Sequence, residues 1–445
     1  MSLTAIPRAK GAVLGLGHIP RLLLRGPLAV LRSLHAEGPV VRLSIGTMPI
    51  VVVTSPDTVN AVTVTYGKAS QKGRLFKQMR PVVGNGLASS DGPQHIRNRR
   101  LIQPMFYKER LAGYAEIMRK RAEKLAGSWS AGQQIDVDKV MGAHAIETLA
   151  ATLFSADIGR PAVESVREDL PIILQSMLLR ALAPQFTVNW PIWKRFNRSA
   201  ARMRLVIDDV IAKTRASDLD SGTDLLSLLL SARDESGAGL TDEEVRDELT
   251  TMLFAGTETV ASTLSWALHH LAEHPDVERE LLEEIDAVIG DRAVNFADVP
   301  KLPSITRVLD EVIRLHGVVT LMRTTTEPVT IGGYELPADT ELLFSLYALH
   351  RNPELYPDPD RFDPDRWLPE QVAQRPRVHV VPFGAGNRKC IGDKFAWLEA
   401  TITLATLLPR WELRPVPGSK PPTEATAAMA HPTRMPMIVQ PRRKH

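Results

Sequence analysis

Apolar residues recur at intervals of three and four along much of the chain, most clearly over residues 110–128, 164–183 and 200–215, and that period predicts amphipathic helices. A shorter rhythm of β-branched residues marks residues 40–45 and 50–53, and the intervening Gly46, Thr47, Met48 and Pro49 predict a hairpin. Strand signals return over residues 329–336, where Gly332 and Gly333 mark a turn, and at 437–439. The pattern predicts a mainly α fold with small β-sheets fed from both ends of the chain.

The longest candidate helix opens at Thr241, with Glu244 three residues on as a capping box, and runs to His274 just before Pro275. Its roughly 34 residues would extend about 50 Å, enough to cross a whole domain. At its centre stands Ala255-Gly256-Thr257-Glu258-Thr259. A glycine there costs about 1 kcal/mol relative to alanine, so either a packing contact or a functional demand holds it in place.

Composition narrows the classes. The chain has 445 residues, 44% of them hydrophobic, and neither a Ser/Gly- or Pro-rich linker nor an internal repeat divides it, which predicts one domain over 1–445. With 54 Lys and Arg against 51 Asp and Glu, the formal charge of +3 is too balanced to make nucleic acid the main partner. Between Gly11 and Leu34 every apolar run is broken by His18, Pro20, Arg21, Arg25, Gly26, Pro27 or Arg32. Neither a signal peptide nor a membrane span is therefore expected, and a soluble, cytoplasmic protein is.

A lone cysteine, Cys390, excludes intrachain disulfides and multi-cysteine metal sites. An isolated thiol is ordinarily an inert buried one. This one closes the run Phe383-Gly384-Ala385-Gly386-Asn387-Arg388-Lys389-Cys390-Ile391-Gly392, and a helical pattern follows over 393–408. Glycines let such a loop fold tightly, and a helix N-terminus beside Arg388 and Lys389 favours the thiolate that metals require.

The run matches every specified position of the haem-binding loop F-G-x-G-x-R-x-C-x-G, and the chain resembles the cytochrome P450 family. The resemblance implies that haem b lies between the long central helix and the cysteine loop, with Cys390 as axial thiolate and Ala255, Phe383, Gly384 and Gly392 in contact with the cofactor. It implies propionate partners in His95, Arg99, Arg323 and Arg388, although the segment before Arg323 reads Leu315-His316-Gly317-Val318-Val319 where many members carry Pro-Pro. Glu311 and Arg314, an ordinary i,i+3 helix pair by spacing alone, are implied to form a buried network with Arg366 of Phe362-Asp363-Pro364-Asp365-Arg366-Trp367. Glu258 and Thr259 match the acid–alcohol pair that manages protons during oxygen activation.

The activity implied is insertion of one atom of O2 into a C–H bond. Too few residues follow Gly392 for a flavin or iron–sulfur domain, so a separate ferredoxin or flavodoxin with its reductase is expected to supply electrons. Arg97, Arg100, Lys389 and Lys394 are candidates for docking it. Apolar side chains in residues 74–87 and 178–193, expected to roof the pocket, favour an apolar substrate. The phrases Leu3-Thr4-Ala5-Ile6-Pro7, Lys72-Gly73-Arg74-Leu75-Phe76 and Phe344-Ser345-Leu346-Tyr347-Ala348-Leu349-His350 resemble bacterial sesquiterpene hydroxylases of the family, implying a pentalenene-like hydrocarbon in terpenoid or antibiotic biosynthesis. A steroid, fatty-acid or macrolide hydroxylase would share every motif, whereas a haem-binding sensor would not need Glu258 and Thr259. His270 and His274 read as complements of a helix C-terminus, not metal ligands. Asp358, Asp360, Asp363 and Asp365 read as loop acids, because prolines and the lack of a central glycine oppose a calcium site.

Overall fold

A computed structural model describes residues 3–154, 163–173, 176, 187, 189–216, 224–375, 382–426 and 428–442. Helices that bear on function are α1 (Gly92–Ile102), α2 (Lys108–Gly127), α3 (Val137–Leu153), α4 (Lys194–Ala216), α5 (Leu225–Ser231), α6 (Asp242–Glu273), α7 (Pro275–Val288), α8 (Pro303–His316) and α9 (Asp393–Leu407). The chain forms two compact units, Met1–Lys77 with Arg307–Cys390 and Glu424–His431, and Gln78–Thr306 with Ile391–Thr423 and Pro432–His445.

The first unit is built on a five-stranded sheet. Its strands are β1 (Val40–Ile45), β2 (Met48–Val53), β3 (Ser70–Lys72), β5 (Leu321–Thr325) and β8 (Glu341–Phe344), in the order β1-β2-β8-β5-β3; β4 (Gln134–Asp136) belongs to the second unit. Only the β2–β8 pair is parallel. Val51 and Val53 pack into one apolar cluster, and Ile50 and Val52 into another. The sheet is thus covered on both faces, which explains a run of four consecutive apolar residues. The hairpin turn is tighter than the sequence suggests: Ile45 pairs with Met48, leaving only Gly46 and Thr47 as loop. Gly46, at φ 59°, supplies the left-handed residue such a turn needs. β6 (Val329–Ile331) and β7 (Tyr334–Leu336) form the expected hairpin around Gly332 and Gly333.

The second unit is mainly helical, with α6 packed against α3, α4 and α9. Thr241 caps α6 as expected: its hydroxyl accepts from Glu244 N at 3.2 Å, and Glu244 Oε2 accepts from Thr241 N at 2.9 Å. At the other end His274 Nδ1 lies 2.8 Å from His270 O, the capping role expected of it. Helix α4 starts at Lys194, earlier than the periodic run, because buried Phe196 anchors an otherwise polar first turn. The run at 164–183 is helical over 163–173, and most of its remainder lies outside the described residues. The three-stranded sheet joins β4, β9 (Trp411–Pro415) and β12 (Pro436–Pro441); β10 (Glu424–Thr426) and β11 (Ala430–Pro432), which belong to the first unit apart from Pro432, form a separate pair. Among the described residues no helix is long and apolar enough to cross a membrane.

Candidate active site

The cysteine loop lies in the first unit. Cys390 N donates to Phe383 O at 2.9 Å and Lys389 N to Gly386 O at 3.2 Å, closing the loop on itself. Gly384 and Gly386 adopt φ of 72° and 71°, a region that a Cβ disfavours. At Gly386 an added Cβ would lie 2.0 Å from Thr63 O, so the loop rests directly on the backbone of the turn Ala61–Thr65. Phe383 and Arg388 are half-buried, whereas Lys389 and Cys390 are exposed. An inert thiol would be packed away; this one is presented by its loop. Gly392 then serves as N-cap of α9, with Ala396 N donating to its carbonyl at 2.9 Å.

The same unit holds a buried ion network. Glu311 and Arg314 on α8 are fully buried and form a two-pronged pair, Nε–Oε2 at 2.7 Å and Nη2–Oε1 at 2.8 Å. Arg366 Nε approaches Glu311 Oε1 at 3.4 Å. Sequence reasoning missed the partners that complete the set. Trp367 Nε1 donates to Glu311 Oε2 at 3.0 Å and Asp363 N to Oε1 at 2.9 Å. Arg314 also reaches the carbonyls of His350, Pro359 and Arg361 at 2.8, 2.7 and 3.1 Å. An enclosed indole N–H usually finds an acceptor, so the half-buried Trp367 beside Arg366 was the available signal. Arg323 is buried on β5, where Nη1 donates to Met322 O at 2.8 Å. The segment before it runs without Pro-Pro: Val319 N donates to Ala428 O at 3.0 Å, and Ser345 Oγ to Val319 O at 2.6 Å.

The second unit carries the other candidates. Ala255 is exposed at mid-helix between buried Phe254 and half-buried Gly256, and Glu258 and Thr259 are half-buried one turn on. Thr259 Oγ1 donates to Ala255 O at 2.8 Å, so the hydroxyl must leave this helix bond before it can donate elsewhere. At Gly256 an added Cβ would sit 2.9 Å from Leu149 Cδ2 of α3, so close helix packing is what requires the glycine. On α1, His95 is buried with Nδ1 3.5 Å from Ser90 Oγ.

The basic face of α1 is not uniform. Arg97 is fully engaged, donating to Asp234 Oδ2 at 2.7 Å, Glu244 Oε1 at 3.2 Å and Gly239 O at 2.7 Å. Its charge is thus largely met within the unit. Arg99 makes no ion pair among the described residues, and Arg100, Lys389 and Lys394 are exposed.

A cluster that the sequence did not announce lies along the N-terminal half of α6. Buried Glu248 accepts from Leu87 N and Asn98 Nδ2, both at 2.9 Å, and Asp247 accepts from Asn85 N at 2.6 Å. Burial pushes the Glu248 carboxyl up to about 7. Among the described residues no group of three or more His, Cys, Asp and Glu is arranged to hold a metal ion. Asp360 accepts from Arg32 at 2.6 Å.

The cysteine loop fits a haem ligand, because it presents an exposed soft thiol on a glycine-shaped turn. The cytochrome P450 family model matches residues 7–438. The chain is a cytochrome P450. This P450 is 41% identical to cyclooctatin synthase of Streptomyces melanosporofaciens over 427 residues, covering 95% of this chain and 93% of that protein. It is 35% identical to pentalenene oxygenase of Streptomyces avermitilis over 431 residues, covering 96% and 95%. The crystal structure of the cytochrome P450DA heme domain superposes with a TM-score of 0.88 at 27% identity, covering 98% of each chain. The P450 is a monooxygenase, an oxidoreductase of a family that works with haem and a cysteine thiolate. Its mainly α architecture with small sheets is the one its residue pattern predicts.

Proposed function

We propose that this P450 hydroxylates an apolar, terpene-like hydrocarbon, and that the Cys390 thiolate is the group that would hold haem b. The exposed thiol in its glycine-shaped loop carries the ligand assignment. When bound, haem supplies the one-electron and dioxygen chemistry of C–H oxygenation. Ala255, Phe383, Gly384 and Gly392 would line it, and His95, Arg99, Arg323 and Arg388 would hold its propionates by charge and hydrogen bonding. Glu258 delivers protons from its half-buried position, and Thr259 relays them when its hydroxyl rotates away from Ala255 O. Glu311, Arg314 and Arg366 fix the backbone around α8 and the Asp363–Trp367 loop and take no part in proton transfer. Electrons come from a ferredoxin or flavodoxin and its reductase, received over Arg100, Lys389 and Lys394.

Two relatives whose names refer to cyclooctatin and pentalenene support the substrate class. Part of the expected pocket roof, residues 178–186, lies outside the described residues. The test is an absorption titration of the purified ferric protein with sesquiterpene and diterpene hydrocarbons, steroids, fatty acids and macrolides, followed by reduction under CO. A thiolate-type CO band with a low- to high-spin change for terpenes alone is the expected result. A CO band of the histidine type would overturn the role of Cys390, and a spin change only with the other classes would overturn the substrate.

A further inference from the structure

The N-terminal part of the first unit has features that oxygenation chemistry does not use. Residues 3–36 contain Arg8, Lys10, Arg21, Arg25 and Arg32 but no Asp or Glu, and Glu37 is the first acid of the chain. That acid is spent locally, accepting from Arg21 Nη2 at 2.9 Å and from Lys10 N at 2.8 Å. Arg32 is paired with Asp360 at 2.6 Å. The side chains of Arg8, Lys10 and Arg25 are exposed and have no carboxylate partner among the described residues.

Beside these cations the chain turns large apolar side chains outward. Leu14, Leu24 and Leu23 are 98%, 87% and 81% exposed, and Val13 and Leu16 are about half-exposed. One exposed leucine needs no explanation, but a group of them within a dozen positions does. A loose tail would be one explanation, and the hydrogen bonding rules it out. Val13 and Gly17 exchange two backbone bonds of 2.8 Å, forming a small turn with Leu14 at its tip. Gly17, at φ 60°, lies so close to β1 that a Cβ would meet Ser44 O at 2.4 Å. Ala9 N donates to Arg42 O at 2.9 Å, and Arg42 N to Pro7 O at 2.8 Å. Buried His18 adds a ring-nitrogen bond to Ala9 O at 2.9 Å. Arg21 Nη1 reaches Lys10 O at 2.7 Å, tying the turn to the helix Ile19–Arg25. On that helix Leu22 packs inward against the sheet, while Leu23 and Leu24 point away.

We propose that this surface docks the P450 on anionic lipid bilayers, with Leu14, Leu23 and Leu24 inserted at the headgroup boundary and Arg8, Lys10 and Arg25 against lipid phosphates. Both halves of the chemistry are those of interfacial binding, apolar insertion plus attraction to anionic lipid. An acidic protein partner would satisfy the cations but leave the leucines without a reason. A symmetric contact with a second copy would press like charges together.

The experiment is co-sedimentation of the full-length, haem-loaded protein with vesicles of phosphatidylcholine alone or mixed with phosphatidylglycerol. Binding to the mixed vesicles, weakened by salt, is expected. The triple variant Leu14→Ser, Leu23→Ser, Leu24→Ser should lower the partition coefficient by at least about tenfold, because each leucine withdraws its apolar area from insertion. A second variant, Arg8→Glu with Arg25→Glu, should abolish the preference for the mixed vesicles while keeping a normal CO spectrum. Equal pelleting with and without vesicles, or binding that the triple variant retains, would overturn the proposal. So would concentration-dependent self-association, in sedimentation velocity, that the triple variant abolishes.

Discussion

At position 386 a single methyl group would collide with the carbonyl of Thr63 and would also force an L side chain to φ 71°. Gly386→Ala should therefore cost on the order of 2 kcal/mol and displace the cysteine loop, read as a lower melting temperature and a diminished thiolate-type CO band. Glu311 poses the opposite problem, because its removal strands charge. Glu311→Ala leaves the buried Arg314 and the half-buried Arg366 without their carboxylate, and a loss of about 3–5 kcal/mol in urea unfolding is expected. Glu311→Gln, which can still accept from Asp363 N, should lose less. Thr259→Ala deletes the hydroxyl that now bonds Ala255 O, and little stability should go with it. Product formed per O2 consumed should fall, with the oxygenation rate down roughly a hundredfold, while the CO spectrum stays normal. An unchanged yield per O2 would remove Thr259 from the proton path.

Among the elements, α1 and α6 are joined by two carboxyl groups, Glu244 at Arg97 and the buried Glu248 at Asn98. Glu248 of α6 takes hydrogen bonds from Asn98 of α1 and from Leu87 of the preceding loop, so it seats the helix that carries His95 and Arg99. Burial raises its carboxyl from 4.5 to about 7, with neighbouring Asp247 and Glu244 adding to the rise. The folded state then holds this proton more tightly than the unfolded state. Folding stability must consequently fall as pH rises from the unfolded value through about 7, by an amount on the order of 3 kcal/mol. Glu248→Gln should flatten that part of the stability profile, measured by urea unfolding between mildly acid and mildly alkaline pH. Asn98 Oδ1, buried and without a hydrogen-bond partner, can turn to accept from the new amide, so the substitution is structurally tolerable. A profile as steep as that of the parent protein would contradict the assignment. Glu399 on α9 is fully buried and its carboxyl is likewise raised by burial, so it contributes a slope of the same sign.

For the whole molecule, a cofactor that binds only the folded chain must stabilise it by mass action. Stripping the haem should lower the melting temperature by more than about 5 °C, and readdition should restore it in proportion to free haem. A thermal midpoint indifferent to haem would contradict the proposed cofactor contacts. Much of this architecture is legible along the chain because its cause is local. The period of α2, the capping box at Thr241 and the Gly332-Gly333 turn each depend on residues within a few positions of one another. The ten-residue frame ending at Gly392 is legible for the same reason.

What the sequence by itself determined was thus the family, the cysteine at its centre and the helices that carry most candidate residues. Only the tertiary structure decided how charges are spent. Arg97 and Arg99 stand two positions apart on one helix, yet Arg97 is consumed by Asp234 and Glu244 while Arg99 has no ion-pair partner among the described residues. The partners of Arg97 lie 137 and 147 positions away, and those of Glu248 include Asn98, 150 positions away. Spacing reports which side chains share a helix face, because helix geometry is set within a turn or two. It carries no information about which distant loop folds against that face, and burial and hydrogen bonding then fix each group's charge.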